Sequence, residues 1–170
     1  MTRKLRIVVC ITASIVLSGC CLLSPIFSSG HDPQFLRVYY RNGLDVLDTF
    51  HGTYQKDLVE AGTTNAPMWL TAREQQILLE ALEENSFFTL PDIIHAQPNV
   101  IVFPSHGPDT LRVEYEGRTK TVVWYWPLPI ATNPLDDVGA RVLDIRSILW
   151  DIIFSKPEYK ALPPAKGGYQ

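Results

Sequence analysis

The chain has 170 residues, of which 46% are hydrophobic, and its formal net charge is -3 at pH 7. This length suits one hydrophobic core, and the acidic balance argues against a protein that wraps a nucleic-acid backbone. All three cysteines fall among the first 21 residues, so a disulfide framework in the rest of the chain is excluded.

The first residues have the order of an export signal. Basic residues within 3–6 precede an uncharged and mostly apolar run over 7–17, and two small residues follow at 18–19. At about 1.5 Å per residue, this run reaches only about half of a ~30 Å hydrocarbon layer, which argues against a permanent spanning helix. We therefore predict a signal peptide over residues 1–19 that is removed.

The segment LSGC, Leu17 to Cys20, resembles the lipobox of bacterial lipoprotein precursors. The resemblance implies a diacylglyceryl group on the Cys20 thiol, cleavage just before this residue, and further acylation of the new amine. A thiolate is nucleophilic enough at neutral pH to take up the lipid. Several acyl chains, at about 0.8 kcal/mol per buried methylene, hold a protein on a membrane more firmly than one. The alternative is an ordinary secretory signal with a coincidental cysteine.

The same resemblance implies a place in the cell envelope. In lipoproteins of the enteric type, an Asp directly after the lipidated cysteine favours the inner membrane, and Cys21 stands at that position here. This favours the outer membrane, facing the periplasm, if the source has two membranes. The fate of Cys21 itself is left open.

Residues 20–33 are rich in Ser, Pro and Gly, a composition that predicts a flexible tether carrying the lipidated cysteine. A folded domain is expected over residues 34–155. An extended C-terminal tail is expected over residues 156–170, because Pro157 cannot continue a helix.

Two groups of strands are predicted within the domain. β-Branched and aromatic residues on either side of Asn42-Gly43 predict a hairpin, with two or three strands between residues 35 and 59. Alternating apolar and charged residues predict a second hairpin over residues 109–126, with Gly117 in its turn.

Two helices are predicted. Thr71 and Glu74 form a capping box that begins a helix running to about Asn85. Its predicted buried face consists of Ile77, Leu78, Ala81 and Leu82, and its polar residues elsewhere are Gln75, Glu80, Glu83 and Glu84. The residues predicted to fill the core after it are Phe87, Phe88 and Leu90. Asn133 and Pro134 predict the start of a last helix with a buried stripe formed by Leu135, Val138, Val142, Ile145, Leu149 and Ile152.

These elements predict an α+β fold: a single domain with an antiparallel sheet of about four to six strands packed by two helices. The segments GTYQKDL, LTAREQQILLEALEENSFFTLPD and LRVEYEGRTKTVVWYW, with the final helix, resemble a small domain of unknown function from secreted and lipid-anchored bacterial proteins. That resemblance implies a location and a fold but no activity.

No complete catalytic grouping is visible. The four histidines are scattered along the chain: His31, His51, His95 and His106. Asp92, His95, His106 and Asp109 lie in or beside one proline-rich loop, where a metal site or, with Ser105, a hydrolytic triad is the alternative to solvated loop residues. We favour solvated loop residues, and predict no catalytic residue, no metal and no cofactor.

The tryptophans are the candidates for partner binding. On a strand, Trp124 and Trp126 share one face, and Trp69 is a further candidate for the same surface. An exposed pair of this kind suits a glycan or an envelope protein, whereas a covering helix would make the pair part of the core. We therefore predict a non-enzymatic binding or interaction module held to the membrane by its N-terminal lipid. The alternative is a lipid-anchored hydrolase that uses the His95 and His106 region.

Overall fold

The computed structural model of the chain describes residues 34–98, 107–129 and 137–169. The predicted signal peptide, the lipidation of Cys20 and the tether therefore lie outside the described residues. The same holds for His106 and for the predicted start of the last helix at Asn133 and Pro134.

The described residues form seven strands, three helices and a 3₁₀ turn over Phe87–Thr89. The strands are β1 (Leu36–Asn42), β2 (Asp45–Asp48), β3 (Thr53–Asp57), β4 (Thr63–Pro67), β5 (Ile93–Ile94), β6 (Asp109–Tyr115) and β7 (Arg118–Trp124). The helices are α1 (Ala72–Glu84), α2 (Val138–Ser155) and α3 (Pro157–Lys160).

The strands form one sheet in the order β4-β3-β2-β1-β6-β7-β5. All neighbours are antiparallel except β5 and β7, which are parallel. The α+β prediction is confirmed, but the sheet is mixed and has more strands than predicted. Both added strands have weak local signals, because β4 is TTNAP and β5 has only two residues.

Both predicted hairpins are present. Asn42 pairs with Asp45, so the first turn consists of Gly43 and Leu44, one residue later than predicted. Gly43 has a φ of 62°, which glycine adopts without the steric cost that a Cβ brings. In the second hairpin, Glu116 and Gly117 both have positive φ, as a type I′ turn requires.

The core lies between one face of the sheet and helices α1 and α2. On β1, Leu36, Val38 and Tyr40 point to this face and are at most 1% exposed. Tyr40 meets Trp150 of α2 edge to face, with ring centroids 6.0 Å apart. The alternate residues of β1, such as Arg37, point to the other face of the sheet.

The predicted capping box begins α1. The Thr71 hydroxyl accepts a hydrogen bond from the Glu74 backbone N–H, and the Glu74 carboxylate accepts one from the Thr71 N–H. Leu78, Ala81 and Leu82 are buried as predicted, but Ile77 is 37% exposed.

Gln75 corrects the predicted polar face of α1, because it is fully buried. Its Oε1 accepts hydrogen bonds from the backbone N–H groups of Phe35 and Leu36, and its Nε2 donates to the Leu70 carbonyl. A buried amide with these partners ties α1 to the start of β1.

Helix α2 begins at Val138, and Asp137 accepts a hydrogen bond from the Ala140 N–H as its N-cap. This start is later than predicted from Asn133 and Pro134. The described part of the predicted stripe is confirmed: Val142, Ile145, Leu149 and Ile152 are buried, and Val138 packs against the core.

The prediction of an extended tail is wrong for its first part. Pro157 starts the short helix α3, since proline suits the first helical position. Tyr159 of α3 packs against Tyr54 with ring centroids 5.6 Å apart, and Lys166 forms a parallel bridge with Val59. The tail therefore covers the sheet near β3.

Candidate functional site

The groups of the predicted hydrolase alternative lie in separate environments. Asp92 is largely exposed and forms an ion pair with Lys120. The His95 ring stacks on Tyr125, with centroids 6.5 Å apart and planes at 9°. Asp109 is buried, while His106 lies outside the described residues. Within the described residues, therefore, no carboxylate orients His95 for proton transfer.

The three tryptophans predicted to bind a partner also separate. Trp124 is only 1% exposed and stacks on Tyr40, with ring centroids 6.2 Å apart. Strand β7 ends at Trp124, so the regular alternation of side chains along a strand does not extend to Trp126. Trp69 packs against Gly52 so closely that a Cβ there would lie 2.0 Å from its ring. The predicted exposed pair of Trp124 and Trp126 is therefore not present.

Trp126 belongs to a buried polar cluster centred on Asp109. Asp109 is 2% exposed, and its Oδ2 accepts hydrogen bonds from Trp126 Nε1 at 3.0 Å and Asn42 Nδ2 at 2.7 Å. The Nε of Arg146, on α2, lies 3.9 Å from the same oxygen. The cluster thus joins β1, β6 and α2 at one end of the sheet.

Strand register explains why these residues meet. Arg41 of β1 pairs with Thr110 of β6. The next residues, Asn42 and Asp109, are therefore opposite each other on neighbouring strands, on the core face of the sheet. Asp109 also pairs with Trp124 of β7. Asn42, Asp109 and Trp124 therefore lie side by side on three neighbouring strands, and their polar atoms are at one edge of the apolar core.

Arg146 covers these residues from the helix side. Its guanidinium lies 5.2 Å from the Trp126 ring centroid and 6.0 Å from that of Trp150. Cations over indole faces are attracted by the ring quadrupole. Arg146 is thereby held between two rings while its Nε faces Asp109.

Burial dominates the electrostatics of the cluster. Desolvation raises the pKa of Asp109, although the hydrogen bonds from Trp126 and Asn42 and the Arg146 charge oppose this shift. Desolvation also raises the pKa of the Tyr40 hydroxyl strongly, so that Tyr40 stays protonated. Among the described residues, four buried atoms around the cluster have no hydrogen bond of ordinary geometry: Tyr40 Oη, Trp124 Nε1, Arg146 Nε and Trp150 Nε1.

The cluster can hold elements together, but its chemistry is poor for catalysis. Its groups around the Asp109 carboxylate are hydrogen-bond donors, with no activated nucleophile next to a base among the described residues. Sequence reasoning missed Asn42, Tyr40 and Arg146. One signal was available: Asp109 precedes Leu111 and Val113 at two-residue spacing, which places all three on the buried face.

The other face of the sheet carries a cation and aromatic cluster. The Phe50 ring lies between Arg37 and Arg112, whose guanidinium carbons are 5.2 and 5.0 Å from its centroid. Arg37 also forms an ion pair with Glu114. This face is accessible, since Arg37 and Arg112 are exposed.

The described ranges contain neither a cluster of metal-ligating side chains nor a helix suited to cross a membrane. No three or more His, Cys, Asp or Glu side chains come together there as metal ligands would. Across the same residues, none of the helices combines the length and the apolar character that a membrane crossing needs.

Comparison with known proteins gave no relative: no family model, no curated protein and no solved structure matches this chain.

Proposed function

We propose that this protein is a lipid-anchored component of a bacterial cell envelope, and that its folded domain is a non-enzymatic binding or interaction module. The anchor is the lipid on Cys20, and the favoured location is the outer membrane, with the domain facing the periplasm. The partner is an envelope protein or a glycan.

The separation of the titratable groups is the observation that carries the proposal for the domain. Asp92 is paired with Lys120, His95 is stacked on Tyr125, and Asp109 is enclosed by Trp126 and Asn42. Hydrolysis requires a nucleophile, a base and an orienting group within hydrogen-bond reach of one another. Groups that already have other partners favour binding over catalysis.

The sequence order of the first 20 residues supports the anchor. The LSGC segment follows a basic start and a short apolar run, and the described domain begins at Gln34, some distance after Cys20. The predicted tether over residues 20–33, rich in Ser, Pro and Gly, would allow the domain to reach partners near the membrane surface.

Substitution of the lipidated cysteine tests the anchor. In cells fed with labelled palmitate, Cys20→Ser is expected to abolish label incorporation and to prevent processing at residue 20. Cys21→Ser is the matched control, because it removes the neighbouring thiol and leaves LSGC intact. It is expected to keep both the lipid and the membrane association.

Two results would contradict the anchor. One is full palmitate labelling of Cys20→Ser. The other is loss of labelling only in Cys21→Ser, which would assign the lipid to the second cysteine.

A further inference from the structure

An open groove of about 400 Å³ lies between α1 and α2 on the side away from the sheet. From α1 it is lined by Ile77, Glu80 and Glu84, which recur at helical spacing along one stripe. From α2 it is lined by Asp144, Ser147 and Ile148. We call these six residues the acidic groove.

The floor of the acidic groove is apolar and only partly covered. Ile77 is 37% exposed, although the leucines of the same helix, Leu78, Leu79 and Leu82, are buried. Ile148 packs against the core with part of its surface open. Two neighbouring isoleucines therefore leave apolar area in water between the helices.

The rims of the acidic groove carry charge of one sign. Glu80, Glu84 and Asp144 are exposed, and no Lys or Arg of the described residues forms an ion pair with any of them. Arg141 lies close by, but its guanidinium donates to the carbonyls of Asn85 and Ser86.

One of these acids also opposes the stability of its own helix. The C-terminal end of a helix carries partial negative charge, so a glutamate in the last turn is unfavourable. Glu84 is the last residue of α1, whose last turn has no basic residue, whereas Glu80 lies one turn earlier and accepts a hydrogen bond from Gln76 Nε2 at 3.0 Å. Residues that break a local stability rule are expected where a protein binds something.

We propose that the acidic groove docks an amphipathic helix of a partner protein, with an apolar stripe flanked by lysines or arginines. A groove between two helices offers ridges against which a third helix packs. Glu80 and Glu84 are one turn apart, about 6 Å, which matches basic residues four apart on a partner helix. A membrane surface is disfavoured as occupant, since anionic lipid repels three carboxylates.

This proposal rests on the proposed role of the domain as an interaction module, and it names the surface and the class of partner. It also replaces the tryptophans as the expected contact, because Trp124 is buried and Trp126 serves the Asp109 cluster.

The test uses the mature lipidated chain in phosphatidylcholine vesicles. The probe is a labelled helical peptide of roughly 18 residues, made of leucine and lysine at amphipathic spacing, and binding is read by fluorescence anisotropy. A peptide with glutamate in place of lysine, and vesicles without protein, are the controls. Only the lysine peptide is expected to bind the protein above the vesicle background.

Two triple variants with equal net charge locate the binding. The groove variant carries Glu80→Gln, Glu84→Gln and Asp144→Asn, and is expected to weaken binding about tenfold or more. The matched control neutralises three exposed acids away from both groove helices, with changes Glu60→Gln, Glu116→Gln and Glu158→Gln. It is expected to change binding less than about twofold.

Ser147→Trp tests the open space of the groove independently of its charge. The indole ring occupies the space beside Ser147, and the three carboxylates stay in place. This variant is expected to lose binding as strongly as the groove triple variant. Thermal melting checks that each variant is folded.

Four results would overturn the proposal: binding no stronger than to empty vesicles, equal binding of the glutamate peptide, equal weakening by both triple variants, or unchanged binding to Ser147→Trp. The proposal would also be overturned if the chain dimerised and the groove variant abolished the dimer, because a second copy of the chain would then occupy the groove. None of these results affects the palmitate test, which reads the anchor alone.

Discussion

Acidic residues have opposite effects on stability at the two ends of helix α1. At the N-terminus, Thr71 and Glu74 form a reciprocal capping box, and Glu74 also pairs with Lys156, which is only 6% exposed. An acid there lies at the positive end of the helix dipole. At the C-terminus, three glutamates within residues 80–84 lie near the negative end, without a basic residue in the last turn.

The charges at the two ends of α1 therefore have opposite effects on the stability of the helix. The N-terminal charges are paired, capped and partly enclosed by the chain's own residues, so they stabilise the fold. At the C-terminus, Arg141 donates to the carbonyls of Asn85 and Ser86, which directly follow the helix. Glu83 and Glu84, in the last turn, form no ion pair among the described residues, and negative charge there is unfavourable for the helix.

The largest expected effect comes from breaking the N-terminal pair. Lys156→Met keeps the apolar stem of the side chain and removes the charge that faces Glu74. Removal of one partner of an enclosed ion pair leaves the other charge uncompensated, so we expect a loss of about 2 to 3 kcal/mol in the free energy of unfolding. Urea denaturation monitored by tryptophan fluorescence measures it.

Lys120→Met is the control for that change, since its partner Asp92 is 82% exposed. An exposed carboxylate is solvated when its partner is removed, so the expected loss is below about 1 kcal/mol. Equal losses in the two variants would show that the Lys156 pair contributes no more than a surface pair.

A smaller loss is expected from removal of the cap. Thr71→Ala deletes the hydroxyl that accepts the Glu74 N–H, and the expected cost is about 1 kcal/mol. Thr71→Ser retains the hydroxyl and is expected to be close to the parent in urea midpoint. A serine variant as unstable as the alanine variant would assign the effect to the methyl group instead.

The smallest effect has the opposite sign and concerns the other end of α1. Glu84→Gln is expected to raise the free energy of unfolding by about 0.3 to 1 kcal/mol at low ionic strength, because it removes negative charge from the negative end of the dipole. The gain should shrink with added salt. Glu158→Gln, in the first turn of α3, should give no such gain. A destabilised Glu84→Gln would remove the contrast between the two ends.

Local patterns predicted the elements well where periodicity and turn chemistry agree. The capping box at Thr71, the two hairpins and the described part of the buried stripe of α2 are each encoded by neighbouring residues or by helical periodicity, and all four appear in the structure. The strands β4 and β5 were missed because their own sequences carry little apolar alternation. They are held by pairing with β3 and β7, which no local window contains.

For the candidate sites, local sequence patterns predicted less than they did for the strands and helices. The sequence singled out Trp124 and Trp126 from strand alternation, but the end of β7 at Trp124 sends the two rings into different environments. Gln75 resembled a solvent-facing helix residue and is buried, because the start of β1 lies against α1 and offers two N–H groups to it. Polar residues are assigned to the surface by pattern, and only tertiary contacts reveal buried partners.

The sequence by itself determined that this chain forms an α+β domain, where its first helix begins, and which stripe of its last helix is buried. Those features depend on residues that are neighbours along the chain or within a turn of helix. Only the tertiary structure decided that Asp109 meets Asn42 and Arg146, and that glutamates of α1 face Asp144 of α2 across a groove. These residues are far apart in sequence, and their meeting follows from sheet register and helix packing.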